Sequence, residues 1–457
     1  MTNDRAFGSG RRWVLLAVVM GLLFLAGTGR STLAQKPTRE QKVREDKRRV
    51  EAEGFWIYND LAQGFATAKR TGKPLLVVLR CLPCEECVKL DDSLVDQDPI
   101  IRPLLEKFVC VRQVSTNGLD LSLFQFDTDQ SFACFMLNAE GVVYGRFGTR
   151  SHRTEWLGDV SLPGLAHSLR AALAAHEQYP TNKAAFQSLL PPKPEFATPE
   201  QFPGLRDKYK STLNYEGNVV QSCIHCHQIG DAQRDWYRQQ RRPIPDQVLF
   251  PYPHPKSLGL VIDPQGGARV TEVAADSLGQ RGGLRAGDEL LSASGYPLNS
   301  IADLQWALQQ VDARGGTLPL VVRRGDERIK LTWELPAGWR QSGDLSWRAS
   351  TWGLRRMATG GMFLEALSAE ERQALGIAAG KMALRAQHVG EYGPHAAAKQ
   401  AGARRHDVLV SFGGRDDLMT ETALLHYALN HYPVGDRVAV EILRDGQRIK
   451  LTIPLQP

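Results

Sequence analysis

The chain of 457 residues holds only seven cysteines and seven methionines, and no methionine lies between Met136 and Met357. Its apolar run from Trp13 to Ala26 falls short of the about 20 residues that span a bilayer. One-sided charge is also missing. The formal charge is +6, and four arginines against one aspartate before residue 35 supply half of it, so the remainder gives no argument for nucleic acid. No cysteine stands in the first 34 residues, which excludes a lipid-modified cysteine anchor there.

What is present points outward. Arg11 and Arg12 precede the apolar run, and small residues with Thr32-Leu33-Ala34 follow it. That is the order of an export signal, basic then apolar then small. Cleavage near residue 34 is the expectation, and a retained N-terminal membrane anchor the alternative. Either way the protein is expected to be periplasmic or held on the outer face of the inner membrane, where cysteines oxidise or carry haem. At 42% hydrophobic and 23% charged, the composition supports several packed domains.

The patterns divide the chain as follows. Residues 1–34 are the signal or anchor and 35–53 a charged linker, with a solvated helix the other reading of its mixed charges. Residues 54–180 alternate β and α patterns: "WIYNDLAQGFATAKRTGKP" has helical spacing, "LLVVL" and "KFVCVRQV" read as strands, and "FACFMLNAEGVVYGRFG" reads as two strands about a turn. A helix around 162–177 closes a sheet covered by helices. Residues 181–203 form a Pro-rich linker, and 204–255 a short, mostly helical segment around "SCIHCHQIGD". Residues 256–337 and 362–457 form a repeat, separated by a linker at 338–361. "GLRAGDELLSASG" parallels "GARRHDVLVSFGG", and both halves end in a strand pair containing Arg-Ile-Lys-Leu-Thr.

Two places carry sulfur chemistry. Cys81, Cys84 and Cys87 fall between a buried strand and a helix. A helix start favours the thiolate, and a second cysteine one turn on can close a disulfide. A structural disulfide and a three-thiolate metal site are the other readings, and Cys110 and Cys134 read as buried and inert. Further on, Cys223-Ile224-His225-Cys226-His227 has the spacing of c-type haem attachment. Cys223 and Cys226 would form the thioethers, and His227 would be the axial ligand of the haem iron. With no nearby methionine, His254 is the candidate sixth ligand, and a short helix at 215–221 is expected upstream. A dithiol or disulfide and a metal corner remain open here.

The stretch from Trp56 to Leu90, with "GKP" entering the first core strand, resembles the thioredoxin superfamily. The resemblance implies that Cys84 attacks and Cys87 resolves, with Cys81 an accessory thiol. Two departures stand out. Glu85 and Glu86 oppose the thiolate, and Ser131-Phe132-Ala133 stands where the superfamily carries a cis-proline. "GLRAGDELLSASGYPL" resembles PDZ domains of the bacterial protease-associated type, although no serine protease sequence precedes it. This implies two β-rich α+β domains. The carboxylate loop would be Leu258-Gly259-Leu260 in the first and Leu375-Gly376-Ile377 in the second, taking peptide C-termini or exported proteins as partners. The whole order resembles the thioredoxin–PDZ (seleno)protein family of bacteria, with cysteine at every candidate position. The implied protein is an exported thiol–disulfide redox protein with haem c and peptide-binding domains. The alternatives are a non-enzymatic PDZ scaffold and a metal-handling protein.

Overall fold

β-Branched and aromatic runs alternate with helical patterns from residue 55 to 177, and they build a five-stranded sheet. The computed structural model describes residues 37–80, 98–130, 132–149 and 159–456. The expected export signal and the Cys81, Cys84 and Cys87 cluster lie outside the described residues.

Helix α1 (Arg39–Glu53) leads into strand β1 (Ile57–Tyr58), helix α2 (Leu61–Thr71) and strand β2 (Leu75–Arg80). Helix α3 (Ile101–Leu105), strands β3 (Val109–Gln113), β4 (Phe132–Leu137) and β5 (Val143–Thr149), and helix α4 (Leu162–Glu177) complete the unit. The strand order is β1-β3-β2-β4-β5, with β1, β3 and β2 parallel and β4 and β5 antiparallel. All six residues of β2 are buried, because the sheet is covered on both faces. Leu76 and Val78 face Val43 and Val50 of α1 and Leu165 and Leu169 of α4, while Leu75, Val77 and Leu79 face Ala68 of α2 and Phe124. Each such side chain contributes about 1.5–3 kcal/mol relative to exposure. Helix α2 approaches closely at Gly64, where a Cβ would fall 2.5 Å from Val111 Cγ2.

The charged stretch expected as a linker or solvated helix is a helix over Arg39–Glu53, packed rather than solvated. Its charges hid the docking, because Asp46 is itself buried and pairs with Arg80 at 2.9 Å. Glu40 accepts the backbone N–H groups of Val219 and Val220, which ties α1 to the segment before Cys223.

Helix α5 (Cys226–Gln239) follows a stretch of turns; residues 215–221 form bends and turns rather than the expected helix. Strands β6 (Leu260–Ile262), β7 (Val270–Val273), β8 (Glu289–Ala293) and β9 (Tyr296–Pro297), helix α6 (Ile301–Gln309), and strands β10 (Gly316–Arg324) and β11 (Glu327–Leu335) make the first C-terminal module. Helix α7 (Thr351–Thr359) precedes the second. That module holds β12 (Met362–Ala366), β13 (Leu384–Val389), β14 (Val408–Phe412), helix α8 (Glu421–His431), β15 (Arg437–Arg444) and β16 (Gln447–Pro454).

The repeat extends to single hydrogen bonds. In the first module Asp288 accepts Arg285 N and holds Arg324, whose guanidinium donates to Gly283 O. In the second, Asp407 accepts Arg404 N and holds Arg444, which donates to Gly402 O. Gly287 at φ +90° is matched by His406 at φ +73°, so the Gly-Asp turn survives without its glycine.

From Arg39 onward the described chain is one unit. The supposed linker at 338–361 contributes a keystone. Buried Arg348 reaches Asp127 at 2.6 Å and Asp129 at 3.1 Å, and Ser350 donates twice to Asp129. Arg234 of α5 donates to the Ser350 hydroxyl.

Candidate functional site

The Cys223–His227 stretch docks on the polar loop that leaves β3. Thr116 N and Oγ1 both donate to Ile224 O, at 3.1 and 2.9 Å. Asn117 Oδ1 accepts Ile224 N at 2.8 Å, and Asn117 Nδ2 donates to Ser222 O at 2.9 Å. Ile224 is fully buried as a result. Cys223 lies buried with its Sγ 3.9 Å from Val114 O, and Cys226 packs against the apolar cluster on the α2 face of the sheet. Beside Cys226 lies a small cleft of about 10 Å³ lined by Leu79, Arg80, Gln113, Ser115 and His225. Arg80 is the last residue of β2, and Cys81 follows it in sequence.

Cys226 is the first residue of α5, where the helix end favours a thiolate by up to about 2 kcal/mol. Burial wins: it pushes the Cys226 thiol up to about 12 and, with Cys226 nearby, the Cys223 thiol up to about 12 as well. Both are protonated at neutral pH, contrary to the expectation that a helix start keeps this sulfur reactive. His225 caps the helix, with its N–H on Gln228 Oε1 at 2.8 Å, and burial lowers its imidazole to about 4. Its ring stacks on His227 at 5.9 Å. His227 Nδ1 lies 3.6 Å from Asp231 Oδ2, and that carboxylate raises the pKa of the imidazole.

A covalently attached haem needs both sulfurs facing one porphyrin above His227. Here Cys223 faces the Val114 carbonyl just after β3, Cys226 faces the sheet core, and the cleft, at about 10 Å³, is far smaller than the about 300–1,000 Å³ of small-molecule sites. The residues as folded do not fit the group. His254, the candidate sixth ligand, is not brought to this cleft. Its Nδ1 accepts Lys256 N at 3.2 Å and its Nε2 lies 3.2 Å from Asp159 Oδ2. Among the described residues no group of three or more His, Cys, Asp or Glu could hold a metal ion. Cys110 and Cys134 are buried in β3 and β4.

The candidate carboxylate loop is formed but enclosed. Gly259 adopts φ +81°, where a Cβ would fall 2.2 Å from Ser277 Cβ, and its N–H donates to Lys256 O. Leu258 and Leu260 are buried in the module core. The facing helix α6 is covered by edge strand β5. Asp303 Oδ1 accepts Arg146 N at 2.8 Å, Ser300 donates to Arg146 O, and the Arg146 guanidinium lies 4.0 Å over Trp306. Burial pushes the Asp303 carboxyl up to about 6. Tyr252 also lies along α6, giving its N–H to Gln309 and accepting from Gln305.

In the second module the residues before the equivalent strand β12 are Gly360 and Gly361, both left-handed. Leu375-Gly376-Ile377 instead belongs to the β12–β13 connection, a correction forced by the strand order. Glu421 of α8 accepts Leu364 N at 2.8 Å and pairs with buried Arg355 at 2.7 Å. The Thr116–Asn117 dock has no sequence signal beyond a polar "STNG" after a strand.

Fold and site define a chain that joins a thioredoxin-like domain to a PDZ domain. A model of thioredoxin-like domains matches residues 56–139, and a PDZ domain model matches residues 247–323. No curated protein matches the chain. Among solved structures, the chain is similar to the HtrA3 PDZ domain bound to a phage-derived ligand. That match is 31% identical over 17% of this chain and 81% of that one, with a TM-score of 0.15. It is also similar to the HtrA-type protease AlgW with tripeptide, 21% identical over 21% of this chain, with a TM-score of 0.18. The chain spans 30% of that protease's length.

Proposed function

We propose that the protein is an exported thiol–disulfide redox protein of the thioredoxin–PDZ (seleno)protein family, working in the periplasm or on the outer face of the inner membrane. Cys84 thiolate attacks a partner disulfide, forming a mixed disulfide and releasing one partner thiolate. Cys87 then attacks the Cys84 sulfur, releasing the second partner thiolate. The partner gains two electrons and Cys84–Cys87 is left oxidised. Cys81 is an accessory thiol. The observation that carries this reading is the end of β2 at Arg80 within the thioredoxin-like sheet, one residue before the cysteine run. No step is routed through haem, because the Cys223–His227 residues do not fit it.

The PDZ modules would recruit partners, and a peptide C-terminus would reach Leu258-Gly259-Leu260 only with β5 lifted from α6. A second reading, a non-enzymatic scaffold in which the modules act as spacers, is favoured by the burial of α6 under β5. Exchange of the full chain with a mixed disulfide of glutathione and a fluorescent thiol separates the two. Activity lost in Cys84→Ser supports the redox reading, and thiols inert in the unmodified protein support the scaffold.

A further inference from the structure

Both grooves expected to take peptides are closed by the chain's own contacts, yet a cavity of about 470 Å³ stands open elsewhere. It lies where the thioredoxin-like domain, the Pro-rich segment, α5 and the flank of the first C-terminal module meet. One wall is Phe124 and Phe126, and another is Pro191, Pro192 and Pro194. Helix α5 contributes Ile229, Gln233 and Trp236. That size falls within the about 300–1,000 Å³ typical of ligand sites.

The polar lining is mostly carboxamide. Gln233 and Gln247 make no side-chain hydrogen bond among the described residues, and Trp236 Nε1 is buried without an acceptor. A carboxamide offers one acceptor and two donors, which matches the C=O and N–H of a peptide backbone. Fixed charge nearly cancels. Lys193 and Glu195 are exposed and opposite in sign, and Arg234 lies in the field of Asp129. That lining disfavours a phosphate backbone, which needs unopposed cations.

We propose that this cavity binds an extended, uncharged stretch of another polypeptide. Gln233 and Gln247 hold its main chain, while Trp236, Phe124 and the prolines take its apolar side chains. The site does not depend on the redox reading, since none of its residues is a cysteine.

The test uses the full chain and a fluorescein-labelled peptide, three repeats of Ser-Leu-Asn-Phe, as C-terminal amide and as free acid. Fluorescence anisotropy should show both forms binding equally, because no terminal carboxylate is read. Gln247→Ala should weaken both by about three- to tenfold, the worth of one or two lost hydrogen bonds. Gln233→Trp, which fills the cavity from a half-buried position, should abolish binding with an unchanged circular dichroism spectrum. Binding of the acid alone would overturn the proposal in favour of the carboxylate loop. Undiminished binding in both variants, or no binding of either peptide, would overturn it outright.

Discussion

The two C-terminal modules share the Asp–Arg clamp, the hairpin and the turn, yet they close their grooves by different means. In the first, closure is borrowed: β5 of the thioredoxin-like sheet lies on α6 through Arg146, Asp303 and Ser300. In the second, closure is internal: Glu421 spans from α8 to Leu364 N and pairs with Arg355 of α7. The same framework therefore serves as a docking face in one copy and as a self-contained core in the other. Opening the first requires separating domains, whereas opening the second requires breaking one buried ion pair.

The largest effect is expected in the second module. Glu421→Ala leaves Arg355 buried without its carboxylate and should cost about 3–5 kcal/mol. Hydrogen exchange should rise across β12 and α8 while the first module stays protected. Equal loosening of both modules would erase the distinction.

The first module should respond to pH instead. Burial raises the Asp303 carboxyl to about 6, above its ordinary value near 3.9, so the folded state holds the extra proton between these values. Stability from this group is fullest below about pH 4 and declines as pH rises through 6. Urea unfolding of the full chain from pH 4 to 7 should show that slope, and Asp303→Asn should remove it. Glu421 is also raised by burial, but the Arg355 pair opposes the rise.

The smallest effect sharpens the shared turn. His406 sits left-handed where the first module has Gly287, and left-handed backbone costs a side-chain-bearing residue about 1–2 kcal/mol. His406→Gly should therefore raise the second module's stability modestly, by about 0.5–1 kcal/mol after glycine's greater unfolded entropy is counted. Thermal unfolding measures it.

The sequence patterns located these domains well because their signals are periodic. The buried run "LLVVL" became β2, "KFVCVRQV" became β3, and the two copies of Arg-Ile-Lys-Leu-Thr became β11 and β16. Segments without period misled. The charges of Arg39–Glu53 conceal that the helix docks, with Val43, Asp46 and Val50 all buried. The stretch 338–361 reads as a linker, yet it carries Arg348 and Ser350 into a buried network with Asp127 and Asp129. Local composition cannot reveal a partner more than two hundred residues away. The Cys223–His227 motif shows the same limit. Its spacing fits haem, while Thr116 and Asn117 pin Ile224, Val114 meets the Cys223 sulfur, and Cys226 packs on the sheet core. The second carboxylate loop was misplaced because the Gly-hydrophobic pattern occurs in the β12–β13 connection as well.

The proposed function requires one cysteine cluster to exchange while the other is shielded. Differential alkylation of the native full chain at pH 8, read by mass spectrometry before and after adding oxidised glutathione, distinguishes the two clusters. The expected result is rapid, oxidant-sensitive labelling at Cys84 and Cys87, with Cys223 and Cys226 labelled only after unfolding in urea. Equal labelling of Cys226 in the native protein, or no labelling at Cys84, would overturn the proposed function.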